Sequence, residues 1–496
     1  MKEKNISVIT RRDFLRQAAC AAVGTAAMTS AIRDLRFMNA AVAQSNITDY
    51  KALVCIFLQG GNDSNNLIIP TIQSEYNNYA SIRTPVLAIP QSAILPVTTL
   101  DPDGHAYGLH PSCPELQTLF GEGKLALMFN TGTLVYPLTR TQYLSGSPAR
   151  PPQLFSHADQ QTQWQTSIPD QPPTSGWGGR CADLLNAVQP TAPISLMVTL
   201  AGANIFEVGN IVSQYSVSTS GAVSLTMPGT PSGGASTNRL PALMNILGLP
   251  YTNLQAQAYA GVAEHAINTS TNLNNAISNT LKTNFWTNYA FPVKIQPPEP
   301  GSAAFTSSLS PQLEMVARLI AAGSTPVANG GFGMKRQIFF VQVGGYDLHT
   351  GQTNYSTNTP SNVLIGAHSN LFAELSQSMY AFQRAMEQLG LSKNVTSFTA
   401  SDFGRTFPSN GQGSDHGWGS HHLILGGAVN GQRTYGKFPA LAVNGPDDTG
   451  TGRWIPTTAI DQYFATIASW FGVDNSNLAT VFPNLSRFAS PNLGFI

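Results

Sequence analysis

Three short apolar runs in this chain stop abruptly at glycine or serine, and an aspartate follows each stop within a few residues. Leu53-Val54-Cys55-Ile56-Phe57-Leu58 runs into Gln59-Gly60-Gly61-Asn62-Asp63. Residues 337–343 run into Gly344-Gly345-Tyr346-Asp347, and residues 395–400 into Ser401-Asp402. An apolar run of this length without polar alternation reads as a strand covered on both faces, the condition of a parallel sheet. Residues 125–129, 194–198 and 423–425 read the same way. Helical patterns lie between these strands. One covers 111–120, with Leu116, Leu119 and Phe120 on one side. A long one carries Leu371, Leu375, Met379, Phe382, Met386 and Leu389 on one face and stops at Gly390. A third covers 458–471. Strands and helices alternate, so the expected fold is α/β with a mainly parallel central sheet. Residues 206–300 break the rhythm. A Ser/Thr/Gly-rich stretch at 215–227 reads as a hairpin or loop, and a polar helical pattern follows at 254–286. This stretch is expected to be an inserted cap or hairpin region rather than a separate enzyme.

The N-terminus reads as an address. Arg11-Arg12 precede Phe14-Leu15, an uncharged Ala-rich run covers 17–32, and Ala41-Val42-Ala43 supplies a cleavage site. A positive region, a modest apolar region and an A-x-A site define a signal peptide, and the arginine pair resembles a twin-arginine signal. The run is too short and too weakly apolar for a membrane span. The expected organisation is a signal at 1–43 and one α/β domain at 44–496, exported to the periplasm or beyond, with no integral membrane span in the mature chain. The first 43 residues carry seven of the 26 basic and three of the 26 acidic residues, leaving 19 and 23, a net −4. That balance offers no footprint for nucleic acid. Three cysteines remain, Cys55, Cys113 and Cys181, and no CxxC pair occurs, which argues against a thiolate zinc site. An odd count leaves at least one unpaired within the chain; a Cys113–Cys181 bridge stays open.

The chemistry gathers late in the sequence. Ligands of open parallel sheets bind beyond the carboxyl ends of the strands, which is where Asp63, Asp347 and Asp402 fall. An aspartate there is also a common turn or helix-cap residue. Histidine placement adds weight. Five of nine histidines lie between 349 and 422: His349, His368, His416, His421 and His422. His349 closes Asp347-Leu348-His349 and His416 follows Asp415. Mixed carboxylate and imidazole donors suit zinc, manganese or iron, and two such clusters suit two metals. His421 and His422 are adjacent and point to opposite faces of extended chain, so one of them is the expected ligand. His368, early in the long helix, reads as structural. The loop 408–422 is dense in glycine, which lets backbone wrap closely around an ion or substrate. Arg405, near the same strand end, suits bidentate contact with phosphate or sulfate oxygens, or an ion pair with Asp402 or another carboxylate.

In order, Gly60-Gly61-Asn62-Asp63, Gly344-Gly345-Tyr346-Asp347-Leu348-His349, Ser401-Asp402-Phe403-Gly404-Arg405-Thr406, Gly413-Ser414-Asp415-His416-Gly417, Gly426-Gly427, Tyr435-Gly436-Lys437-Phe438-Pro439 and Arg453-Trp454-Ile455-Pro456 resemble the bacterial family called domain of unknown function 1501, over nearly the whole chain. That family in turn resembles the alkaline phosphatase-like superfamily. The resemblance implies an α/β/α sandwich with paired metals and hydrolysis of phosphate or sulfate esters. It would make Asp63 a metal ligand, put Asp347 and His349 on one ion and Asp415 and His416 on the other, and complete the set with His421 or His422. Asp402 stands where the superfamily has a strand-end Asp-His pair, but Phe403 follows it here. The family more often shows Glu at 402 and Gly at 64. The sulfatase [Cys/Ser]-x-Pro-x-Arg motif is absent. Ser156-His157 matches a family Ser-His motif, and Ser156, at a helix N-terminus, is the expected nucleophile, with Ser64 second; an N-cap role is its simpler reading. No Gly-x-Ser-x-Gly elbow is present. Two functions follow. One is an exported divalent-metal hydrolase acting on a small anionic ester or polymer, with zinc or manganese, two ions, and Ser156 and Arg405 as catalytic residues. The other is a non-catalytic secreted or surface binding protein that keeps the fold and a structural ion.

Overall fold

Each apolar run of the sequence becomes a strand of one sheet in the structure, a computed structural model of the 496-residue chain. The structure describes residues 47–189, 194–222, 239–249, 260, 267–278, 291–356 and 362–496. The expected signal at 1–43, and much of the expected insertion, lie outside the described residues.

The sheet strands are β1 (Lys51–Leu58), β2 (Leu125–Gly132), β3 (Met197–Thr199), β4 (Tyr215–Ser216), β5 (Arg336–Val343), β6 (Val395–Ser401), β7 (Ser420–Leu425), β8 (Thr434–Tyr435) and β9 (Thr458–Ala459). Their order is β8-β2-β7-β6-β1-β5-β3-β4, with β9 also on β2. β1 runs parallel to both neighbours, pairing Leu58 with Val343 of β5 and with Ser401 of β6. Only β7 runs against its neighbours, β6 and β2. The mainly parallel α/β sheet read from the sequence is therefore what forms. Two details differ. Thr458-Ala459, expected to begin the last helix, extends the sheet instead, and Tyr215-Ser216, expected in a hairpin or loop, is an edge strand parallel to β3.

Helices cover both faces, as the double-sided burial of β1, β2 and β5 requires. α1 (Gln73–Leu87) flanks the sheet's carboxyl end, and on one face lie α2 (Pro114–Gly121), α5 (Ser310–Ser324) and α6 (Ala367–Gln388); α2 and α6 are tied by Leu116 N–H donating to Ser376. On the other lie α3 (His157–Thr166), α4 (Trp177–Leu185) and α7 (Ile460–Phe471), where Trp177 stacks on Phe464 at 4.4 Å between ring centres. Cys55, Cys113 and Cys181 are all free and buried. Cys113 precedes α2 and Cys181 lies on α4, in opposite layers, so they form no bridge. Among the described residues no helix is long and apolar enough to cross a membrane.

Among the buried carboxyl groups of the described core, Glu207 has no cation beside it. Glu207 is fully buried, held by the Asn204 amide at 2.9 Å, and burial pushes its pKa up to about 8 from 4.5. The native state keeps this proton while the unfolded chain releases it, so stability falls as pH rises from about 4.5 to about 8. Glu207→Gln is expected to flatten that slope and to gain at least about 1 kcal/mol on wild type at pH 8 relative to pH 5, read from urea melts at both pH values.

Candidate metal centre

β6, β1 and β5 are neighbours, so Asp402, Asp63 and Asp347 leave the sheet side by side. Two glycines let the ends close up. Gly60 (φ +116°) and Gly61 (φ +85°) take backbone that side chains rarely adopt; a Cβ on Gly60 would strike the Tyr346–Asp347 backbone, and one on Gly61 the Phe403 ring. After β6 the chain doubles back. Thr406 N–H donates to the Asp415 carbonyl and Gly417 N–H to that of Gly404, which returns His416 to the strand end.

A side chain from far away completes the group. His157, first residue of α3, reaches across to place its Nε2 3.1 Å from His416 Nε2 and 3.4 Å from Asp347 Oδ2. His416 Nε2 lies 3.3 Å from Asp347 Oδ1. His349 Nε2 stands 2.9 Å from His416 Nε2 and 3.2 Å from Asp347 Oδ1. Among the described residues, His157, Asp347 and His416 form the group of ligand-type side chains whose donor atoms all lie within 4.8 Å of one another.

The far nitrogen of each ring is committed. His157 Nδ1 meets Asp402 Oδ2 at 2.7 Å, His349 Nδ1 meets Asp415 Oδ1 at 2.9 Å, and His416 Nδ1 meets the Phe155 carbonyl at 2.7 Å. All three partners only accept, so each Nδ1 carries a hydrogen, and each ring turns its Nε2, the nitrogen left to bind an ion, toward Asp347. A carboxylate or carbonyl behind the ring is the usual support of a metal-binding histidine. Donors on one tetrahedral zinc at about 2.0–2.1 Å stand about 3.3 Å apart, close to the spacings among His157, Asp347 and His416. The donor set thus fits a divalent ion.

Supports surround the group. Asp402 is fully buried and also accepts from Gln161, one turn after His157 on α3, and from Gly60 N–H. That hydrogen bond and charge raise the His157 pKa; burial lowers that of His416. Burial alone would raise Asp347, but the Arg405 guanidinium 2.7 Å from its Oδ1 outweighs it and holds the carboxyl below its usual range. Phe155 sits in left-handed backbone at φ +74°, which aims its carbonyl at His416, and its ring lies under the Arg453 guanidinium at 4.5 Å. Arg453 Nε donates to the His416 carbonyl at 2.7 Å.

The structure brings together Asp347, His349, Asp402, Asp415 and His416 of the residues read from the sequence. The others take different places. Asp63 lies beneath the group, buried, ion-paired with Arg83 and accepting from Gln352 and Asn65. His421 and His422 are enclosed on β7, where burial lowers both pKa values to about 3; His421 Nδ1 accepts from Asn130 N–H. Arg405 is buried and spends its guanidinium on Asp347, Gly60 and Ser414, so the ion pair read as one alternative forms, with Asp347. Ser156 stands at the N-cap position of α3 without a side-chain capping bond and gives its hydroxyl to Asp159 at 2.5 Å; Ser64 is buried and accepts from His421 N–H. His368 is buried beside Asn62, as a structural residue would be. His157 joins the group from outside the residues the sequence pattern marks, although it directly follows Ser156.

Residues 320–482 match the profile of the family described as "Protein of unknown function (DUF1501)", which bears out the family resemblance read in the sequence. No curated protein matches the chain. Similar solved structures include Ps i-CgsB in complex with k-i-k-neocarrahexaose, at 8% identity, covering 89% of this chain and 78% of that one, TM-score 0.36. The PsFucS1 sulfatase from Pseudoalteromonas sp. follows at 9% identity, 89% and 72% coverage and TM-score 0.32. The zinc complex of the C-terminal periplasmic domain of EcEptC from Escherichia coli has 10% identity, 77% and 74% coverage and TM-score 0.27.

The Asp63–Arg83 pair under the site generates a test of its own. Removing one partner of a buried pair strands a charge, so Asp63→Asn or Arg83→Met is expected to cost about 3–5 kcal/mol each, and the double variant well under their sum. Denaturant melts of the four proteins check this; additive losses would contradict it.

Proposed function

We propose that this chain is an exported metal-dependent hydrolase of phosphate or sulfate esters, of the alkaline phosphatase-like type. The observation that carries the reading is the convergence of His157, His416 and Asp347, with a hydrogen-bond acceptor behind each imidazole. Those lone pairs and the carboxylate repel one another unless a cation lies among them. The sequence resemblance supplies the reaction class, and the signal at 1–43 supplies the address.

His157, Asp347 and His416 would hold the ion, with His349 beside them. When bound, a divalent ion of the zinc or manganese type supplies Lewis acidity toward an ester oxygen. The chain's own residues prepare the site. Asp402 and Gln161 fix His157, the Phe155 carbonyl fixes His416, and Arg405 keeps Asp347 ionised. Arg453, partly exposed beside His416, is better placed than the buried Arg405 to meet an anionic substrate, small or polymeric. Ser156 and Ser64 have their hydroxyls engaged elsewhere, which favours water as the nucleophile.

Chelator treatment is expected to lower the melting temperature and added zinc or manganese to restore it. One ion at about 100 times its Kd adds about 2.7 kcal/mol. His157→Ala and His416→Ala should lose the response, and Asp402→Asn should weaken metal binding about 10–100-fold. Wild type that melts identically with and without metal, and carries none on purification, sinks the reading. A screen of aryl phosphate and aryl sulfate esters then tests turnover. Silence with the metal bound assigns the non-catalytic binding role, which the engaged serines also suit.

A further inference from the structure

The family resemblance implies two ions. We propose instead that the site holds one, and that Arg405 and Arg83 supply the positive charge a second would bring. The inference rests on the metal reading above.

Charge bookkeeping points there first. Four carboxylates meet at the strand ends: Asp63, Asp347, Asp402 and Asp415. Two guanidinium groups are built in among them, Arg83 against Asp63 and Arg405 against Asp347. Both arginine side chains are fully buried, so neither charge is relieved by solvent. Imidazoles that ligate an ion through Nε2 are neutral and add nothing. The sum is −2, which one divalent cation cancels. A second would leave an uncompensated +2 against buried arginine.

The donor atoms agree. A second ion needs carboxylate oxygens facing it, and those of the buried Asp63 and Asp402 face hydrogen-bond donors already. Asp63 Oδ2 accepts from Arg83 and Gln352, and its Oδ1 from Asn65 at 3.1 Å. Asp402 Oδ2 accepts from His157 and Gln161, and its Oδ1 from Gly60 N–H at 3.2 Å. Asp415 Oδ1 accepts from His349 and from Asn410 at 3.0 Å. His421 and His422, which would complete a second set, are enclosed in β7. The fixed cations then do two jobs: they neutralise carboxylates that have no metal, and they tie the ligand-bearing loops together. Arg83 Nη1 donates to the carbonyls of Thr406 and Phe407, and Arg405 donates to those of Gly60 and Ser414.

The test is a count. Untagged full-length chain is stripped with chelator and titrated with zinc by calorimetry, with elemental analysis of the gel-filtered product. One tight equivalent per chain is expected. Two tight equivalents overturn the inference and leave the metal reading standing; none overturns both. Asp63→Asn/Arg83→Met, which removes the buried pair together, supplies the second readout. It should still bind one equivalent per chain, with an affinity lowered only as far as the lost loop ties loosen the site. Loss of that equivalent in a variant that still melts cooperatively would place Asp63 among the ligands and refute the proposal.

Discussion

Three imidazole Nε2 atoms crowd one carboxylate at the carboxyl ends of β1, β5 and β6, and this convergence constrains everything around it. The donor atoms stand 2.9 to 3.4 Å apart, a spacing that bare lone pairs hold only with a cation between them. The surroundings nevertheless enforce it. Asp402, Asp415 and the Phe155 carbonyl hold the outer nitrogens, so the rings cannot turn to relieve the contact without breaking a hydrogen bond. A backbone strained at Phe155 contributes to the same end. A fold that spends hydrogen bonds and strain on aiming lone pairs at one another makes sense when a cation is the missing partner.

The scaffold beneath follows from the same demand. The strand ends must approach within hydrogen-bond reach, so β1 leaves the sheet through Gly60 and Gly61, where no side chain fits. Carboxylates packed this closely need positive charge, and the buried arginines provide it from inside the protein. Ser414, Gln352 and Asp63 then link the loop bearing His416 to the turn after β1 through one chain of hydrogen bonds. The metal group sits on these ties rather than on any single loop.

Much of this was legible in the sequence. Long apolar runs without alternation can only be strands with both faces covered, so the sheet and its parallel sense were readable, and with them the position of Asp347 and Asp402. Histidines crowded beside carboxylates marked the loop 408–422. What stayed hidden depends on distance along the chain. His157 is 245 residues from Asp402 and 259 from His416, and nothing local to it declares the meeting. Arg83 is equally silent, a helix residue whose partner appears only in the fold. His421 and His422 misled because density of histidine is not placement. They do point to opposite faces, His421 stacking on Phe438 and His422 packing against Trp164, but β7 is covered on both sides and both rings are spent on packing.

The central claim is that His157, Asp347 and His416 surround a cation. Anomalous diffraction from crystals grown with zinc, with data on either side of the zinc absorption edge, tests it most directly. The account predicts one strong anomalous peak among those three side chains, with Asp63, His421 and His422 away from it. No peak there, or a peak bound by Asp63 or by a β7 histidine, would contradict it.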